Sequence, residues 1–212
     1  NIVRAEAGVD LDSLVLMSVK KGLAGLEELS HIPGSLGGAV WMNAGAFHGE
    51  VSDYLISVKI LDSKNRVRTL NRYEIDFGYR EVPTLSDAVI LEAKFRLFKE
   101  RTKDIIRRRK EIIRKRNRKH PLKYPSAGSV FKRPEGHFVR RLIEEVGLPG
   151  KRIGGAQISK KHPGFIVNLG SAKSTDVVKL VKLVREKIYK RFRIKLELEQ
   201  VIIGQDLQRM LE

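Results

Sequence analysis

Four of the five glycines within residues 30–50 (SHIPGSLGGAVWMNAGAFHGE) could let a flat or charged ligand approach the main chain. A residue without a Cβ permits tight turns and leaves backbone N–H groups accessible. Asn43 adds a polar side chain close by. The segment is not a P-loop, because no Gly-Lys-Ser/Thr follows, and it is not a Gly-x-Gly-x-x-Gly motif. The spacing alone therefore indicates either a cofactor contact or a tight packing turn. The four glycines are Gly34, Gly37, Gly38 and Gly45.

Three further short segments carry side chains that catalysis could use: FGYRE (77–81), YPSAGSVFKRP (124–134) and LELEQVIIG (196–204). They supply an arginine beside a tyrosine, a serine after a glycine, and a glutamate in a terminal segment. An arginine can bind a carboxylate through two parallel hydrogen bonds, and a hydroxyl or a carboxyl group can transfer a proton. Taken singly, each residue also fits an ordinary surface salt bridge, a turn hydroxyl or a solvated carboxylate.

The composition and the spacing exclude several common chemistries. The 212 residues contain no cysteine, which excludes disulfides, thiolate metal sites and cysteine nucleophiles. The histidines form no i, i+4 pair and have no carboxylates at ligand spacing, so we expect no metal site. No Gly-x-Ser-x-Gly elbow is present, which argues against a Ser-His-Asp hydrolase. The five histidines are His31, His48, His120, His137 and His162.

Positive charge dominates the composition. The formal net charge is +17, which raises affinity for nucleic acids, membrane headgroups or nucleotide phosphates. Between residues 99 and 123, 13 of 25 residues are Lys or Arg. Two isoleucine pairs in this run, Ile105–Ile106 and Ile112–Ile113, repeat after seven residues and predict a helix with one apolar face, closed by Pro121 and Pro125.

This basic run has two interpretations. It fits a solvated amphipathic helix that links two domains, which is the interpretation we favour. The alternative is a basic RNA-binding module, but the run lacks the interleaved aromatic side chains that stack on bases. The sequence also contains no apolar stretch of 18 or more residues and no signal peptide, so we expect a cytoplasmic protein without a membrane partner.

The first 98 residues predict an α+β domain. NIVRAEAG fits a strand, and DLDSLVLMSVKKGL fits a helix capped by Asp10 and ended near Gly22. YLISVKILDSKNRVRTL predicts a hairpin that turns at 63–65, and AVILEAKFRLF predicts a strand. The apolar run Val40, Trp41 and Met42 is expected to enter the sheet. One face of the predicted last strand carries Val89, Leu91, Ala93, Phe95 and Leu97.

The rest of the chain predicts a second α+β domain. GHFVRRLIEEVGL fits a helix, GGAQIS and GFIVNLG fit strands, and LELEQVIIG is expected to end the fold as a strand. STDVVKLVKLVREKIYKRF predicts a helix with Ser174 as its N-cap. The apolar stripe of that helix contains Val177, Leu180, Val181, Val184 and Ile188. We place the domain boundary near residue 100, which gives domains 1–100 and 101–212, with a basic linker helix at 101–118.

The order of these segments resembles the UDP-N-acetylenolpyruvoylglucosamine reductase family. GLAGLEELSHIPGSLGGAVWMNAGAF is similar to the family's flavin-contacting segment, and GLPGKRIGGAQISKKHPGFIVN is similar to its C-terminal domain. FGYR, PSAGSVFKRP and LELEQVIIG resemble the segments that carry its catalytic residues. The short spacing from Arg80 to Ser129 is typical of the family's smaller subtype. The resemblance covers nearly the whole chain, from Gly22 to Gly204.

The resemblance implies a fold and a reaction. The fold is an FAD-binding α+β domain of the vanillyl-alcohol-oxidase-like kind, whose second part is 1–100, followed by a substrate-binding C-terminal domain at 101–212. The reaction is the NADPH-dependent reduction of UDP-N-acetylglucosamine enolpyruvate to UDP-N-acetylmuramate, in peptidoglycan precursor synthesis. The alternative to this reductase function, within the same fold, is a flavin oxidase. Family members begin with another FAD-binding lobe, and nothing similar precedes Asn1, so we expect this chain to be an incomplete enzyme.

The resemblance also implies roles for individual residues. Arg80, Ser129 and Glu199 are the expected catalytic residues: Arg80 faces the charge that develops on the substrate, Ser129 donates the proton, and Glu199 orients the substrate or donates a proton. The expected FAD contacts are Pro33, Gly34, Ser35, Gly37, Gly38, Ala39, Asn43 and Gly45. The expected substrate contacts are Tyr79, Lys119, Lys132, Arg133 and His162, with no nucleic acid as a partner.

Overall fold

The computed structural model describes residues 1–47 and 49–211, so His48 lies outside the described residues. The chain divides into two compact units, Asn1–Arg116 and Asn117–Glu212. Each unit has its own hydrophobic core. Both units mix helices with antiparallel strands, which confirms the predicted α+β class.

The first unit is built from eight strands and three helices among its described residues. The strands are β1 (Ile2–Glu6), β2 (Leu23–Ala24), β3 (Gly45–Ala46), β4 (Gly49–Glu50), β5 (Leu55–Leu61), β6 (Val67–Asn71), β7 (Val89–Arg96) and β8 (Phe98–Lys99). The helices are α1 (Leu11–Lys20), α2 (Leu36–Trp41) and α3 (Thr102–Lys119).

An antiparallel sheet with the order β1-β7-β5-β6 forms the centre of the first unit. The predicted hairpin is confirmed as β5 and β6. The predicted strand is confirmed as β7, except at its start, where Val89 is 60% exposed and Ile90 is buried. The pairing of β5 with β7 shifts between Lys59 and Ile60, which marks a β-bulge. Beyond such a bulge, the side chains that faced the core face the opposite side of the sheet.

Helix α1 begins and ends as its sequence predicts. The carboxylate of Asp10 accepts a hydrogen bond from the Ser13 N–H at 2.8 Å, and this satisfies one of the unpaired donors of the first turn. Leu11, Leu14 and Val15 are buried on one face of the helix. Gly22 has φ +67° directly after the C-terminus, a conformation that glycine adopts at little cost.

The apolar run after the glycines is helical, so the expectation that it enters the sheet is wrong. Val40 and Trp41 belong to α2, which is capped by Ser35, and Met42 is the residue at its C-cap. The Ser35 hydroxyl accepts a hydrogen bond from the Gly38 N–H at 3.2 Å. This N-cap outweighs the weak helix propensity of the two adjacent glycines.

Helix α3 is the predicted basic helix, but its contacts assign most of it to the first unit. Ile105 is fully buried in the first core. Arg108 donates hydrogen bonds from two nitrogens to Glu27, at 2.9 and 2.7 Å. The division between the units therefore falls after Arg116, later than the boundary expected near residue 100. The change in composition at 99 marks the start of the helix, not the end of the first core.

The second unit contains helices α4 (Val139–Glu145), α5 (Ser174–Phe192) and α6 (Gln205–Arg209). Its strands β9 (Arg152–Ile153), β10 (Ala156–Ile158) and β11 (Ile166–Asn168) form an antiparallel sheet in the order β11-β10-β9. These elements confirm the predicted strands and helices of the region 136–192. Leu180, Val181, Val184 and Ile188 of α5 are buried, and Val178 joins them while Val177 is only partly buried.

Two expectations for the second unit are wrong. The N-cap of α5 is Lys173, not Ser174, because the Asp176 carboxylate accepts hydrogen bonds from the N–H groups of Lys173 and Gly155. The last segment does not form a strand: Leu198 makes a single bridge to Phe131, and α6 follows. Among the described residues, no helix is long and apolar enough to cross a membrane.

Candidate active site

A tight turn presents Arg80 in the first unit. The Gly78 N–H donates to the Glu81 carbonyl at 2.9 Å, so Tyr79 and Arg80 occupy the tip. Arg80 has φ +60°, a left-handed conformation that costs a residue with a Cβ about 1–3 kcal/mol when the surroundings impose it. In the described residues, Arg80 shares this left-handed conformation with five other residues that are not glycine, one of which is Asn43.

The guanidinium of Arg80 is held by the backbone of the glycine-rich segment. Its Nη2 donates to the Gly45 carbonyl at 2.6 Å, and its Nη1 lies 3.4 Å from the Asn43 carbonyl. The ring of Tyr79 lies 5.3 Å from the guanidinium carbon, within cation–π range. Four residues that the sequence assigned to the site, Asn43, Gly45, Tyr79 and Arg80, are therefore brought together.

Asn43 organises this part of the molecule from a buried position, with 1% of its surface exposed. Its amide nitrogen donates to the Glu50 carboxylate at 2.8 Å and to the Gly78 carbonyl at 3.1 Å. Its amide oxygen accepts a hydrogen bond from the Ser52 N–H at 3.1 Å. A single side chain thus ties the glycine-rich segment to the turn that carries Arg80.

Glu50 is a site residue that is not predicted from the sequence. Its carboxylate accepts hydrogen bonds from the Asn43 amide and from the Ser52 hydroxyl, at 2.8 and 2.6 Å. In the sequence, Glu50 is simply the acidic residue that closes the segment 30–50. Its contact with Asn43 depends on the pairing of β3 with β4, which no local pattern reveals.

Gly45 is required by this close packing. A Cβ at Gly45 would lie 2.8 Å from the Glu50 Cβ, 2.9 Å from the Gly49 carbonyl oxygen and 3.3 Å from Nη1 of Arg80. Real Cβ atoms do not approach backbone so closely. A side chain at this position would displace both the β3–β4 pairing and the arginine.

The adjacent glycines serve the fold as well as any ligand. The N–H groups of Leu36, Gly37 and Gly38 donate to Val9, Ala7 and the Ser35 hydroxyl. A Cβ at Gly37 would lie 2.9 Å from the Ala7 Cβ. These three amides are already used within the protein. Among the residues expected to contact FAD, the exposed ones are Pro33, Gly34, Ser35 and Gly38, while Ala39 is buried.

In the second unit, the segment that contains Ser129 lies between two other segments. Ser129 is half-buried and forms a bridge to Phe165, and the next N–H, of Val130, donates to the Gly164 carbonyl at 2.9 Å. On the other side, the Glu199 N–H donates to the Val130 carbonyl at 2.9 Å. The backbones of Ser129 and Glu199 are therefore brought close together, although 69 positions separate them in the sequence.

Gln200 is a second residue that is not predicted from the sequence. Its side-chain amide donates to the Ala127 carbonyl at 3.1 Å and lies 3.4 Å from the Gly128 carbonyl. It therefore fixes the turn immediately before Ser129, at Gly128 with φ +78°. The only sequence signal was its position next to Glu199.

His162 packs in an aromatic cluster beside the Ser129 segment. Its ring centroid lies 4.9 Å from that of Phe165 and 5.8 Å from that of His120. Burial, reinforced by repulsion from Arg140, lowers the pKa of His162 below its ordinary value. The ring is therefore neutral at pH 7. Its Nδ1 is buried without a hydrogen-bond partner among residues 1–47 and 49–211.

The three basic residues expected to bind substrate differ in their surroundings. Lys119 is exposed, and its charge lowers the pKa of His162, so it lies within electrostatic reach of that ring. The Lys132 Nζ lies 3.9 Å from the Glu197 carboxylate. The Arg133 guanidinium lies 4.0 Å from the centre of the Phe138 ring. All three belong to the second unit, together with Ser129 and Glu199.

The predicted site residues thus form two groups, one in each unit. Asn43, Gly45, Tyr79 and Arg80 form the first group, and the second is organised around Ser129. No group of three His, Cys, Asp or Glu residues suited to a metal ion occurs in the described parts of the chain. The two groups offer a fixed guanidinium, a hydroxyl, a carboxylate and several cations.

Comparison with known protein families shows which class of protein each unit resembles. The family described as FAD binding domain matches residues 1–71, in the unit that holds the glycine-rich segment and Arg80. The fold of the first unit is therefore that of an FAD-binding domain. The family described as UDP-N-acetylenolpyruvoylglucosamine reductase, C-terminal domain, matches residues 120–203, which include Ser129 and Glu199.

Individual relatives give the particular family. A UDP-N-acetylenolpyruvoylglucosamine reductase of Clostridium botulinum (strain 657 / Type Ba4) is 44% identical over 205 residues, which are 96% of this chain and 67% of the relative. The enzyme of Clostridium tetani is 44% identical over 203 residues, 95% of this chain and 66% of the relative. The chain belongs to the UDP-N-acetylenolpyruvoylglucosamine reductase family, and it spans about two thirds of the length of these relatives.

A solved structure supports the same assignment at the level of the fold. The crystal structure of UDP-N-acetylenolpyruvylglucosamine reductase from Thermus caldophilus matches with a TM-score of 0.83 and 36% sequence identity. The match covers 95% of this chain and 73% of the Thermus chain.

Proposed function

We propose that this protein reduces UDP-N-acetylglucosamine enolpyruvate to UDP-N-acetylmuramate, with FAD as its bound cofactor and NADPH as the hydride donor. The observation that carries the proposal is the fixed Arg80. Its strained turn and its bonds to Asn43 and Gly45 attach a permanent positive charge to the segment expected to contact the flavin. Family membership supplies the reaction, which belongs to peptidoglycan precursor synthesis in the cytoplasm.

The residues of the first unit fit FAD. Gly34 is exposed with φ +141°, and no heavy atom lies within 4 Å of the position of a Cβ, so the backbone there is open to a ligand. Pro33 and Ser35 flank it on the same exposed stretch. When bound, FAD supplies the hydride transfer, and the protein supplies position and electrostatics.

Arg80 is suited to the charge that the reaction creates. Addition of hydride to the enolpyruvyl double bond places negative charge on the enol-carboxylate system of the substrate. A guanidinium remains protonated and can pair with a carboxylate through two hydrogen bonds. Because backbone carbonyls already fix its orientation, Arg80 needs little rearrangement as this charge develops.

Ser129 is the proposed proton donor to the neighbouring carbon. The enolate is far more basic than an ordinary carboxylate, so a neutral hydroxyl can protonate it. Glu199 is joined to the same segment by the hydrogen bond to Val130, where its carboxylate can orient the substrate or return a proton. A positioned proton donor typically contributes about 10² to 10⁴-fold to the rate.

The second unit provides cations for the UDP diphosphate. Lys119, Lys132 and Arg133 flank the Ser129 segment in the sequence, and all three lie in the unit that the reductase C-terminal family matches. Diphosphates are bound by lysine as a point charge and by arginine through paired hydrogen bonds. His162, neutral at pH 7, completes the proposed substrate contacts.

The function is tested with the purified full-length protein supplied with FAD. We expect NADPH oxidation only when UDP-N-acetylglucosamine enolpyruvate is present, and a product heavier than the substrate by two hydrogens in mass spectrometry. Oxidation of NADPH at the expense of oxygen alone would favour a flavin oxidase. Salt-sensitive binding of RNA, with no response to the nucleotide sugar, would favour the RNA-binding alternative.

A further inference from the structure

A buried arginine outside the groups described above has two donor atoms without a hydrogen-bond partner in the part of the chain that the structure describes. Arg116 on α3 is 5% exposed, and its Nε and Nη2 make no hydrogen bond within residues 1–47 and 49–211. A guanidinium stays protonated at neutral pH, even though burial lowers the pKa of Arg116 from its ordinary value. Buried charges in folded proteins are normally paired, because an unpaired one is costly to remove from water.

A second arginine on the same helix face is only partly satisfied. Arg109 precedes Arg116 by seven positions, or about two helical turns, so both side chains leave the same side of α3. Its Nη2 donates to both oxygens of Asp12, at 3.0 and 2.9 Å. Its Nε is buried and lacks a hydrogen-bond partner in the described residues.

Asp12 cannot neutralise both arginines. Its carboxylate already accepts from Arg109 and from the His31 N–H at 2.8 Å, and the His31 Nε2 lies 3.7 Å away. Asp12 acts on Arg116 only through its charge. That attraction partly offsets the lowering of the Arg116 pKa by burial. Within the described residues, Asp12 therefore pairs directly with Arg109, while Nε and Nη2 of Arg116 have no hydrogen-bond partner.

Another neighbour of Arg116, Phe47, is aromatic and cannot accept the N–H groups in the plane of the guanidinium. The Phe47 ring centre lies 5.5 Å from the guanidinium carbon of Arg116. This contact accounts for the face of the guanidinium but not for its edge, where Nε and Nη2 point. An oxyanion is the chemical group that pairs with two neighbouring N–H donors on one edge.

We propose that Arg116 and Arg109 form a binding site for a phosphate-type oxyanion. Arg116 binds the oxyanion through Nε and Nη2, and Arg109 adds its Nε and its charge. Asp12 holds Arg109 in place through its two hydrogen bonds. The oxyanion has two sources of the same chemistry: a phosphate of a dinucleotide such as FAD, or a free inorganic anion.

Thermal unfolding of the full chain tests the site with inorganic pyrophosphate at constant ionic strength. In the wild type, pyrophosphate at about 100 times its Kd is expected to raise the Tm by roughly 10 °C. In Arg116→Met this rise falls below about half of that value. Arg114→Met removes the same charge from an exposed position on the same helix, and it is expected to keep the full response.

The stability without anions distinguishes a binding role from a structural one. If Arg116 serves a ligand, Arg116→Met is at least as stable as the wild type in anion-free buffer, because an unpaired buried charge has been removed. Arg116→Lys provides a second variant in case the methionine protein does not fold. It keeps the charge but loses the paired donors, so it retains its fold and loses most of the response.

Parallel titrations with FAD and with riboflavin, which lacks phosphate, separate the two sources. A response to FAD but not to riboflavin, weakened in Arg116→Met, assigns the oxyanion to the dinucleotide. A response confined to pyrophosphate assigns it to a free anion. Equal responses of the wild type, Arg116→Met and Arg114→Met to every probe, or no response of the wild type, would overturn the proposal.

Discussion

At the scale of single residues, the proposed chemistry depends on side chains that are held in place by neighbours far away in the sequence. Arg80 is fixed by two carbonyls of the glycine-rich segment, and the Ser129 turn is fixed by Gln200. Single substitutions can therefore distinguish residues that act on the substrate from residues that only hold other side chains in position.

Ser129→Ala tests the proton donor. We expect reduction of the enolpyruvyl substrate to fall by about 10² to 10⁴-fold, while reduction of the flavin by NADPH stays near normal, since only the second step needs the hydroxyl. Stopped-flow absorbance resolves the two half-reactions. Ser126→Ala, at an exposed position three residues earlier, is the matched control. Equal losses in both half-reactions would contradict the role.

Charge neutralisation tests the diphosphate ligands. In the double variant Lys119→Gln, Arg133→Gln, we expect the KM for the nucleotide sugar to rise and its salt dependence to weaken, with kcat less affected. The reason is that these cations would bind the part of the substrate that does not react. Lys110→Gln with Arg114→Gln removes the same charge from exposed positions of α3. An unchanged KM in the first variant would show that the diphosphate binds elsewhere.

Asn43→Ala tests the buried amide that joins the glycine-rich segment to the Arg80 turn. We expect a loss of about 1–3 kcal/mol in the free energy of unfolding, because Glu50 and the Gly78 carbonyl lose a buried donor. The φ of +42° adds to the cost, since alanine tolerates that region less well than asparagine. Urea denaturation measures the effect, with the exposed Asn117→Ala as control. A loss no larger than that of the control would mean that Asn43 is not a structural link.

At the scale of elements, helix ends and turns supply the fixed geometry. The N-terminus of α5 is joined to the turn before β10 by Asp176, which accepts from the Lys173 and Gly155 N–H groups at 3.0 and 3.2 Å. These hydrogen bonds lower the pKa of Asp176 below its ordinary value. The charged carboxylate therefore stabilises the second unit above the ordinary aspartate pKa, and this contribution is lost as the pH falls through the lower folded-state pKa.

Asp176→Ala should accordingly lower the Tm at pH 7. The Tm difference from the wild type should narrow as the pH falls from the ordinary aspartate pKa through the lower folded-state pKa of Asp176. Circular dichroism melts at a series of pH values measure both effects. Glu186→Ala, exposed on the same helix, is expected to change the Tm little at any pH. A Tm difference for Asp176→Ala that is independent of pH would contradict the electrostatic explanation.

At the scale of the whole molecule, the two hydrophobic cores allow the proposed FAD contacts and the proposed nucleotide-sugar contacts to be assigned to separate units. The second core is formed by residues from Val130 to Leu196, with none from the first unit. Independent domains have such self-contained cores. The unit that carries Ser129 and Glu199 should therefore fold without the unit that carries Arg80.

Residues 117–212 expressed alone should unfold cooperatively and bind a UDP-sugar weakly. Calorimetry and amide chemical shifts on titration with the nucleotide sugar measure the two properties. A fragment of 131–212 lacks Val130 and the Ser129 segment, so it should unfold less cooperatively. A poorly dispersed spectrum for the longer fragment would show that its fold requires the first unit.

Local patterns in the sequence determined most of the secondary structure. Capping by Asp10 and the seven-residue isoleucine repeat of α3 identified helices correctly, because both depend on residues within a few positions of one another. Alternation identified β5, β6 and β7 for the same reason. The family resemblance was likewise readable, since its motifs are short and occur in a fixed order.

Only the tertiary structure decided how these elements serve the site. It placed Val40 and Trp41 in a helix instead of the sheet, introduced a bulge near the start of β7, and assigned most of α3 to the first unit. It also identified Glu50 and Gln200 as the side chains that hold Asn43 and the Ser129 turn. In the described residues, it left Nε and Nη2 of the buried Arg116 without a hydrogen-bond partner. Each of these depends on contacts between segments distant in the sequence, and the free energy of such contacts exceeds the local preferences from which a sequence is interpreted.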